Sequence, residues 1–295
     1  MTILILGGNG QVGFELRRAL APLGAIDAPT RERLDLMDAE AVDAHLKAQR
    51  PALIVNAAAW TAVDAAESAA EEAYRLNAGL PEQLAAHAVE SGAVLVHYSS
   101  DYVYPGDGEM PWTEKSATGP LSVYGASKLA GDEAVAASGA SAIVFRTSWV
   151  YSARGGNFLK TMLRLGRERT SLNVVVDQIG APTPARLIAE VTLLALQGLR
   201  QGTFAPGLYH LAPRGETSWH GFAEAIFAAA RDRGETLAIT DEGLGAIPTS
   251  DYPTPATRPL NSRLSLNKLE RELGIDLPTW QAQLDLTLED ILSTR

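Results

Sequence analysis

The sequence predicts an α/β protein built on a doubly wound parallel sheet, and three observations support that prediction. Short, β-branched apolar runs alternate with helical patterns along the first half of the 295-residue chain. These runs are continuously apolar, which is typical of strands buried on both faces. The first run ends at a cluster of glycines that leads directly into a helical pattern. Strands and helices therefore alternate as βαβ units from the N-terminus onward.

The elements of the first half follow from apolar spacing and from helix-breaking residues. The first run predicts a strand, and the helix after it keeps its apolar residues at helical spacing until Pro22 and Gly24 end it. In the same way, Pro51 leads into a later strand. The predicted strands are residues 2–6, 25–28, 52–56, 93–98 and 142–146, and the predicted helices are residues 12–20, 39–49, 71–91 and 121–138.

The alternation loosens after about residue 150. The stretch 247–259 contains four prolines, which predicts a loop because proline lacks the backbone donor that helices and sheets require. Neither a repeat nor a low-complexity linker separates the two halves, so we expect a smaller C-terminal lobe interleaved with the first domain. The predicted strands here are residues 172–176 and 207–211, and the predicted helices are residues 184–199, 219–231 and 280–292.

Composition and charge exclude several classes of function. The 25 Lys and Arg residues against 35 Asp and Glu give a net charge of −10, which argues against nucleic acid or an anionic membrane as the main partner. The lack of cysteine excludes disulfides, zinc–thiolate sites and thiol nucleophiles. Because no apolar run approaches the ~20 residues that span a bilayer and no basic leader precedes the first strand, we expect a soluble, cytoplasmic protein.

A glycine-rich turn links the first strand to the first helix. Gly7, Gly10 and Gly13 fit a dinucleotide-binding turn, and Gly8, Gly10 and Gly13 fit it in an overlapping register. Without side chains the backbone approaches a pyrophosphate, whose charge then meets the amides at the positive end of the helix. An ordinary tight turn is the alternative. The position directly after the first strand favours a nucleotide site on a Rossmann-type sheet.

The end of the second strand influences the choice between NADP and NAD. An acidic residue there holds the adenosine ribose in many such sites, and Asp27 is the candidate. Arg31 follows shortly afterwards and would pair with a 2′-phosphate, which favours NADP. A solvated loop charge is an equally good interpretation of Arg31. NADPH is therefore the predicted cofactor, and NADH remains an alternative.

Tyr124 and Lys128 lie four residues apart in a predicted helix, on one face and one turn apart. The ordinary pKa of tyrosine is about 10, and a neighbouring ammonium together with an oxidised nicotinamide would lower it. Ser100 follows the fourth predicted strand, at the edge of the sheet where ligands bind, and its hydroxyl would hydrogen-bond a substrate carbonyl oxygen. A surface helix pair and a turn-forming serine are the alternatives. The histidines at 45, 87, 97, 210 and 220 lack ligand spacing, so neither a metal site nor a Ser-His-Asp triad is predicted.

Together these motifs resemble the extended short-chain dehydrogenase/reductase family. The resemblance covers nearly the whole chain, and beyond the glycine turn it rests on residues 55–64, 99–104, 123–131, 146–151, 177–183 and 252–262. It implies the reduction of dTDP-4-dehydro-L-rhamnose at C4 to dTDP-L-rhamnose by NADPH or NADH. That reaction is the last step of dTDP-rhamnose biosynthesis, which supplies cell-surface polysaccharide.

The resemblance also implies a role for individual residues. Tyr124 would donate a proton to the C4 oxygen, with Lys128 lowering its pKa and binding the nicotinamide ribose. Ser100 stands where the family usually has threonine, so the hydroxyl is kept. Asn77 would serve a proton relay or brace the backbone, and a buried core position is the alternative for Trp149. The implied cofactor-binding residues are Gly7, Gly10, Gln11, Val12, Gly13, Arg31, Asp35, Leu36, Ala59, Trp60, Thr61, Tyr124 and Lys128, and the implied substrate-binding residues are Ser100, Asp101 and Trp149.

The loosening of the alternation near residue 150 divides the chain into residues 1–150, a dinucleotide-binding domain with interleaved later segments, and residues 151–295, for which the resemblance implies mainly a nucleotide-sugar lobe. One alternative is another nucleotide-sugar 4-reductase or an epimerase, which would share the Tyr/Lys chemistry. A second is a catalytically silent NADP-binding regulatory subunit, against which the intact Ser100, Tyr124 and Lys128 argue. Some relatives dimerise around a glutamate-bound magnesium. The sequence shows no such ligand pattern, so no metal is predicted and a homodimer stays open.

Overall fold

A computed structural model describes residues 1–292 of the chain. Its strands are β1 (Thr2–Leu6), β2 (Ala25–Asp27), β3 (Leu53–Asn56), β4 (Val94–Ser100), β5 (Ala142–Thr147), β6 (Val150–Tyr151), β7 (Leu172–Val175), β8 (Ile179–Gly180), β9 (Thr183–Pro184), β10 (Gly207–His210), β11 (Thr217–Ser218) and β12 (Leu244–Ile247). Its helices are α1 (Gln11–Ala19), α2 (Ala39–Gln49), α3 (Val63–Ala66), α4 (Ala70–Tyr74), α5 (Leu80–Ser91), α6 (Val123–Ala137), α7 (Phe158–Glu168), α8 (Ala185–Gln201), α9 (Trp219–Asp232), α10 (Asn267–Leu273) and α11 (Trp280–Leu292).

Within the described residues, six strands form one parallel sheet in the order β2-β1-β3-β4-β5-β10. From β1 the chain moves outward to β2, then returns to the other side of β1 and continues outward from β3. The direction in which successive strands are added to the sheet therefore reverses between β1 and β3. In such a sheet ligands bind in the crevice outside the carboxyl ends of the strands at this point. The predicted α/β fold with a doubly wound parallel sheet is confirmed.

Both faces of the sheet are covered by helices. Successive side chains of a strand point to opposite faces, so Ile3 and Ile5 of β1 pack towards α1 and α8, while Leu4 and Leu6 pack towards α2 and α5. All four of these side chains are at most 1% exposed. Burial on both faces explains why the first strand is a continuous apolar run instead of an alternating pattern.

The second half of the chain contributes to two different cores. Leu159 of α7, Phe222 of α9 and Leu288 of α11 belong to a separate buried cluster. In contrast, Ile188 of α8 and Leu269 of α10 pack on the core beside the central sheet, which β10 completes. Later segments are thus interleaved with the first domain. The domain boundary at residue 150 stays a prediction. So does the assignment of the dinucleotide to the first domain and of the nucleotide sugar to the second.

Several elements differ from the prediction. The helix predicted over 71–91 is interrupted between α4 and α5 by a π-helical turn, Arg75–Gly79. β4 continues two residues beyond its predicted end and includes Ser100. The sequence analysis missed α7, although Leu159, Met162 and Leu163 recur at helical spacing. In the described part of the chain, no helix is long and apolar enough to cross a membrane.

Candidate active site

The glycine-rich turn connects β1 to α1 beside the point where the strand order reverses. Gly7 has a φ of +75°, and a Cβ there would lie 2.7 Å from the carbonyl oxygen of Ala57. A Cβ at Gly13 would lie 2.1 Å from the carbonyl oxygen of Gly7, so the helix approaches the turn through Gly13. Both positions therefore require glycine for close backbone packing.

Gly10 has a different environment. It is the residue before α1, and a Cβ there would lie 3.2 Å from the carbonyl oxygen of Gly7, its nearest neighbour. As a glycine it offers no side chain to cap the first amides of α1, and the first turn carries no acidic residue. The amides at a helix N-terminus attract anions. The turn therefore fits the pyrophosphate of a dinucleotide.

The loop before α7 lies against the start of α1. Nδ2 of Asn157 donates a hydrogen bond of 2.8 Å to Oε1 of Gln11, and the guanidinium of Arg154 lies 3.7 Å from the centre of the Phe14 ring. The side chain of Val12 is partly buried against the core. Sequence analysis missed this loop, because nothing local to residues 152–157 links them to α1.

The end of β2 carries a polar cluster. Asp27 accepts hydrogen bonds from Arg33 and from Nε2 of His45, the latter at 2.7 Å. The Arg31 side chain is 83% exposed and lies 3.9 Å from Asp35. Asp27, the candidate for the ribose, is thus engaged by protein side chains, while two guanidinium groups lie near the strand end. The second of them, Arg33, was missed although it stands two residues after Arg31.

The segment after β3 is fixed by Asn77, which lies in the π-helical turn. Oδ1 of Asn77 accepts from the backbone nitrogen of Trp60 at 2.9 Å, and its Nδ2 donates to the Trp60 carbonyl oxygen at 3.1 Å and to Ser127 at 3.0 Å. These bonds brace the backbone of residues 59–61, the predicted wall of the cofactor cleft. Of the two roles implied for Asn77, the structure shows the bracing one.

The start of α6 determines where Tyr124 lies. The Ser122 side chain caps the helix by accepting from the backbone nitrogen of Gly125 at 3.2 Å. A Cβ at Gly125 would lie 2.3 Å from the carbonyl oxygen of Tyr102, so the helix packs directly on the turn that follows β4. The rings of Tyr102 and Tyr124 meet edge to face with centroids 5.4 Å apart.

Tyr124 and Ser100 meet at the carboxyl end of β4. Burial raises the pKa of Tyr124 to about 12, and the Ser100 hydroxyl opposes that rise by hydrogen bonding. Nζ of Lys128 donates to the carbonyl oxygen of Tyr98 at 2.6 Å. The lowering of the Tyr124 pKa by Lys128 that the sequence predicted is therefore not seen in the protein alone. Burial has the largest effect on the pKa of Tyr124, and the carbonyl oxygen of Tyr98 holds the ammonium of Lys128.

Two further groups in this cleft have shifted pKa values. Burial lowers the pKa of Lys128 to about 8, and Asp132 opposes the shift. Burial raises the pKa of Asp101 to about 6, and hydrogen bonds with Ser262 and Ser100 oppose that shift. Oγ of Ser100 donates to Oδ1 of Asp101 at 3.0 Å. Ser100 thus bridges the tyrosine and the aspartate predicted to touch the substrate.

Trp149 packs against Trp219. Its indole stacks on that of Trp219 with ring centroids 3.8 Å apart and planes 12° apart. A Cβ at Gly180 would lie 2.9 Å from Trp149 Cε2, so the backbone of Gly180 also lies close to the indole. The face of Trp149 that stacks on Trp219 is therefore closed to a sugar in this conformation. Trp219 was missed because its only sequence signal is an aromatic residue at the start of a predicted helix.

The proline-rich segment 252–262 packs on residues that follow β3 and β4. Arg258 forms an ion pair with Asp64 of α3, Nη2 to Oδ2 at 2.7 Å, which joins the segment to the helix after β3. Nδ2 of Asn261 donates to the carbonyl oxygens of Asp107 and Met110 at 3.1 and 2.9 Å. The bonds from Asn261 hold the loop after β4 against this segment.

The structure therefore brings Ser100, Asp101, Tyr124 and Lys128 together, next to the glycine turn and the braced segment 59–61. Arg31, Asp35 and Leu36 follow the end of β2, and Trp149 stacks on Trp219 of α9. Among residues 1–292 there is no group of three or more His, Asp or Glu side chains arranged to hold a metal ion.

Comparisons with known proteins agree on one family. Residues 1–293 match the family model described as RmlD substrate binding domain. The dTDP-4-dehydrorhamnose reductase of Salmonella typhimurium is 48% identical over 298 residues, which cover 100% of this chain and 99% of that protein. The crystal structure of a dTDP-4-dehydrorhamnose reductase from Clostridium acetobutylicum matches with a TM-score of 0.89 and 34% identity over 99% of this chain and 100% of that one. The Bacillus anthracis dTDP-4-dehydrorhamnose reductase in complex with NADP matches with a TM-score of 0.87 and 33% identity over 98% and 99% of the two chains.

Proposed function

The chain belongs to the RmlD substrate binding domain family, and from that premise we propose that it reduces dTDP-4-dehydro-L-rhamnose at C4 to dTDP-L-rhamnose. NADPH is the reductant, because the Bacillus anthracis relative binds NADP and because Arg31 and Arg33 place positive charge near the end of β2. NADH is the alternative reductant. This reaction is the final step in the formation of dTDP-L-rhamnose.

The observation that carries the proposal is the meeting of Ser100 and Tyr124 at the carboxyl end of β4, with Lys128 one turn further along α6. When bound, the reduced nicotinamide supplies the hydride that the C4 carbonyl accepts. Tyr124 donates its phenolic proton to the C4 oxygen, and the Ser100 hydroxyl turns from Asp101 to hydrogen-bond the same oxygen. Asp101 and Trp149 contact the sugar.

The raised pKa of Tyr124 suits this direction of reaction. With a pKa of about 12 the phenol is protonated at neutral pH, as a proton donor must be. The positive charge of Lys128 stabilises the phenolate once the proton has left. Lys128, which donates to the Tyr98 carbonyl oxygen in this structure, would hold the nicotinamide ribose. Gly10 and the first amides of α1 would hold the pyrophosphate, and the segment 59–61 would line the nicotinamide side of the cleft.

The proposal extends to the organisation of the protein. Residues 1–150 bind the dinucleotide together with α8, β10 and α10, and the remaining residues mainly bind the nucleotide sugar. We place the enzyme in the cytoplasm, where nicotinamide cofactors and activated sugars are available. A homodimer is the proposed assembly, and light scattering after size-exclusion chromatography measures it directly.

Replacement of Tyr124 by phenylalanine tests the chemical roles. Tyr124→Phe removes the proton but keeps the ring, so kcat should fall by roughly 10²–10⁴-fold, the usual contribution of a general acid. The affinity for NADPH should be unchanged. The matched control is Tyr74→Phe, a tyrosine on α4 that is 40% exposed. A Tyr124→Phe protein that reduces the substrate as fast as the Tyr74→Phe protein would show that Tyr124 is not the proton donor.

A further inference from the structure

Behind Lys128 lies a buried row of ionisable side chains that the proposed chemistry does not use. Asp132 stands one turn after Lys128 on α6, so that Tyr124, Lys128 and Asp132 follow one another along one stripe of the helix. Oδ2 of Asp132 accepts a hydrogen bond of 2.9 Å from Nε of Arg146 on β5. The two side chains are only 6% and 5% exposed. This is a buried ion pair next to the buried ammonium.

Arg146 is fixed from its other side. Its Nη1 donates a hydrogen bond of 2.8 Å to the hydroxyl oxygen of Tyr104, and that hydroxyl also bonds Nε2 of His210 on β10 at 2.6 Å. The Tyr104 ring stacks on Trp112 with centroids 5.1 Å apart. Tyr104, itself held by His210 and Trp112, thus fixes the guanidinium against Asp132. A surface ion pair of long, mobile side chains would have none of this restraint.

The charges around Lys128 come from several elements. Its own helix contributes Tyr124 and Asp132, β4 contributes His97, and β5 contributes Arg146 behind the aspartate. Burial, with a smaller effect of Lys128, lowers the pKa of His97 well below its usual range, so that ring is neutral. Asp132 is the group that raises the pKa of Lys128 against the effect of burial. A buried ammonium without a nearby anion would lose its proton.

We propose that Asp132 is a positioning residue whose carboxylate, held in place and kept ionised by Arg146, keeps Lys128 charged. The carboxyl group of Asp132 depends on Arg146 to stay ionised. Burial raises the pKa of Asp132, and the attraction of Arg146 is the largest effect that opposes the rise. The charge on Lys128 therefore depends on a buried pair of residues to which the proposed chemistry gives no part. The inference rests on the proposed function only for the role given to Lys128.

Nuclear magnetic resonance of the protein alone tests this without any turnover. The chain has five lysines, so ¹³C-labelled lysine side chains give few signals, and Lys128→Arg identifies the one in question. In the parent protein the Lys128 signal should titrate with a midpoint near the pKa of about 8. In Asp132→Asn, which keeps the shape and removes the charge, the midpoint should fall by about 1–3 pH units. Asp132→Glu, which keeps the charge, should stay within about one unit of the parent.

A second variant probes the other half of the pair. Arg146→Met should lower the Lys128 midpoint in the same direction as Asp132→Asn, because Asp132 then takes up a proton. In activity assays, the alkaline limb of the kcat/KM profile should move to lower pH in Asp132→Asn, whereas simple destabilisation would lower the rate equally at every pH. An unchanged Lys128 midpoint in folded Asp132→Asn would overturn the proposal. If neither variant folds, a parent midpoint well below neutral pH would also overturn it.

Discussion

Replacing Gly13 or Gly10 by alanine should have different consequences, although the two glycines are only three residues apart. Gly13→Ala should destabilise the protein, whereas Gly10→Ala should weaken the binding of NADPH. At Gly13 a methyl group would lie 2.1 Å from the carbonyl oxygen of Gly7 and 2.7 Å from the Gly8 Cα, all of it backbone. The turn and α1 must therefore separate by about 1 Å to reach ordinary contact. Overpacking of this kind lowers the free energy of unfolding by about 1–3 kcal/mol, and the higher helix propensity of alanine offsets at most about 1 kcal/mol of that loss.

At Gly10 the same methyl group fits. Its nearest neighbour is the Gly7 carbonyl oxygen at 3.2 Å, and the φ and ψ of −73° and 176° are values that alanine adopts without strain. The loss of stability should stay below about 1 kcal/mol, the difference between glycine and alanine before a helix. The methyl group would instead occupy the space through which the pyrophosphate approaches the amides of α1. One lost charge-assisted hydrogen bond weakens binding by about 1.5–3 kcal/mol, which is roughly tenfold or more.

Urea denaturation and calorimetric titration with NADPH separate the two effects. Gly13→Ala should unfold at a lower urea concentration than the parent, and Gly10→Ala should unfold close to the parent yet bind NADPH at least about tenfold more weakly. Parental NADPH affinity in folded Gly10→Ala would refute the placement of the pyrophosphate. Parental stability of Gly13→Ala would refute the packing described for the turn.

Two further substitutions probe the edges of the site. Arg31→Ala should weaken NADPH binding by about 1.5–3 kcal/mol and leave NADH binding nearly unchanged, as measured by calorimetry, and equal losses would reject a 2′-phosphate contact. Asp101→Asn should stabilise the protein at pH 7.5, because burial raises the pKa of Asp101 in the folded protein from its ordinary value of 3.8 to about 6, so ionising the buried carboxyl group costs stability as the pH rises through that window. The gain should be up to about 3 kcal/mol in urea denaturation and should shrink towards pH 4, and a gain that does not depend on pH would contradict this cause.

The parts of the fold that were predictable are those with a local signal. The buried strands are continuous apolar runs, the glycine turn stands between a strand and a helix, and Tyr124 and Lys128 share a helix face by spacing alone. The proximity of Ser100 to Tyr124 was also predictable from the sequence, because the carboxyl ends of parallel strands face one crevice.

The missed features depend on tertiary contacts or on burial. Trp219 stacks on Trp149 although 70 positions separate them, and the sequence near either residue gives no signal of this contact. The pairing of Asp27 with His45 likewise joins a strand end to the next helix. The pKa of Tyr124 was expected to fall because sequence spacing reveals a neighbouring lysine but not the extent of burial, which dominates in the structure.

The central claim is net reduction of a 4-keto nucleotide sugar, and the stoichiometry of the reaction tests it most directly. The purified protein is mixed with NADPH and dTDP-4-dehydro-L-rhamnose, NADPH oxidation is followed by absorbance, and the sugar product is quantified by chromatography. One dTDP-L-rhamnose should form for each NADPH oxidised, while UDP-glucose in its place should cause no oxidation. A converted sugar without net NADPH consumption would identify an epimerase, and bound NADPH with no conversion would identify a silent binding subunit; either result would contradict the proposed function.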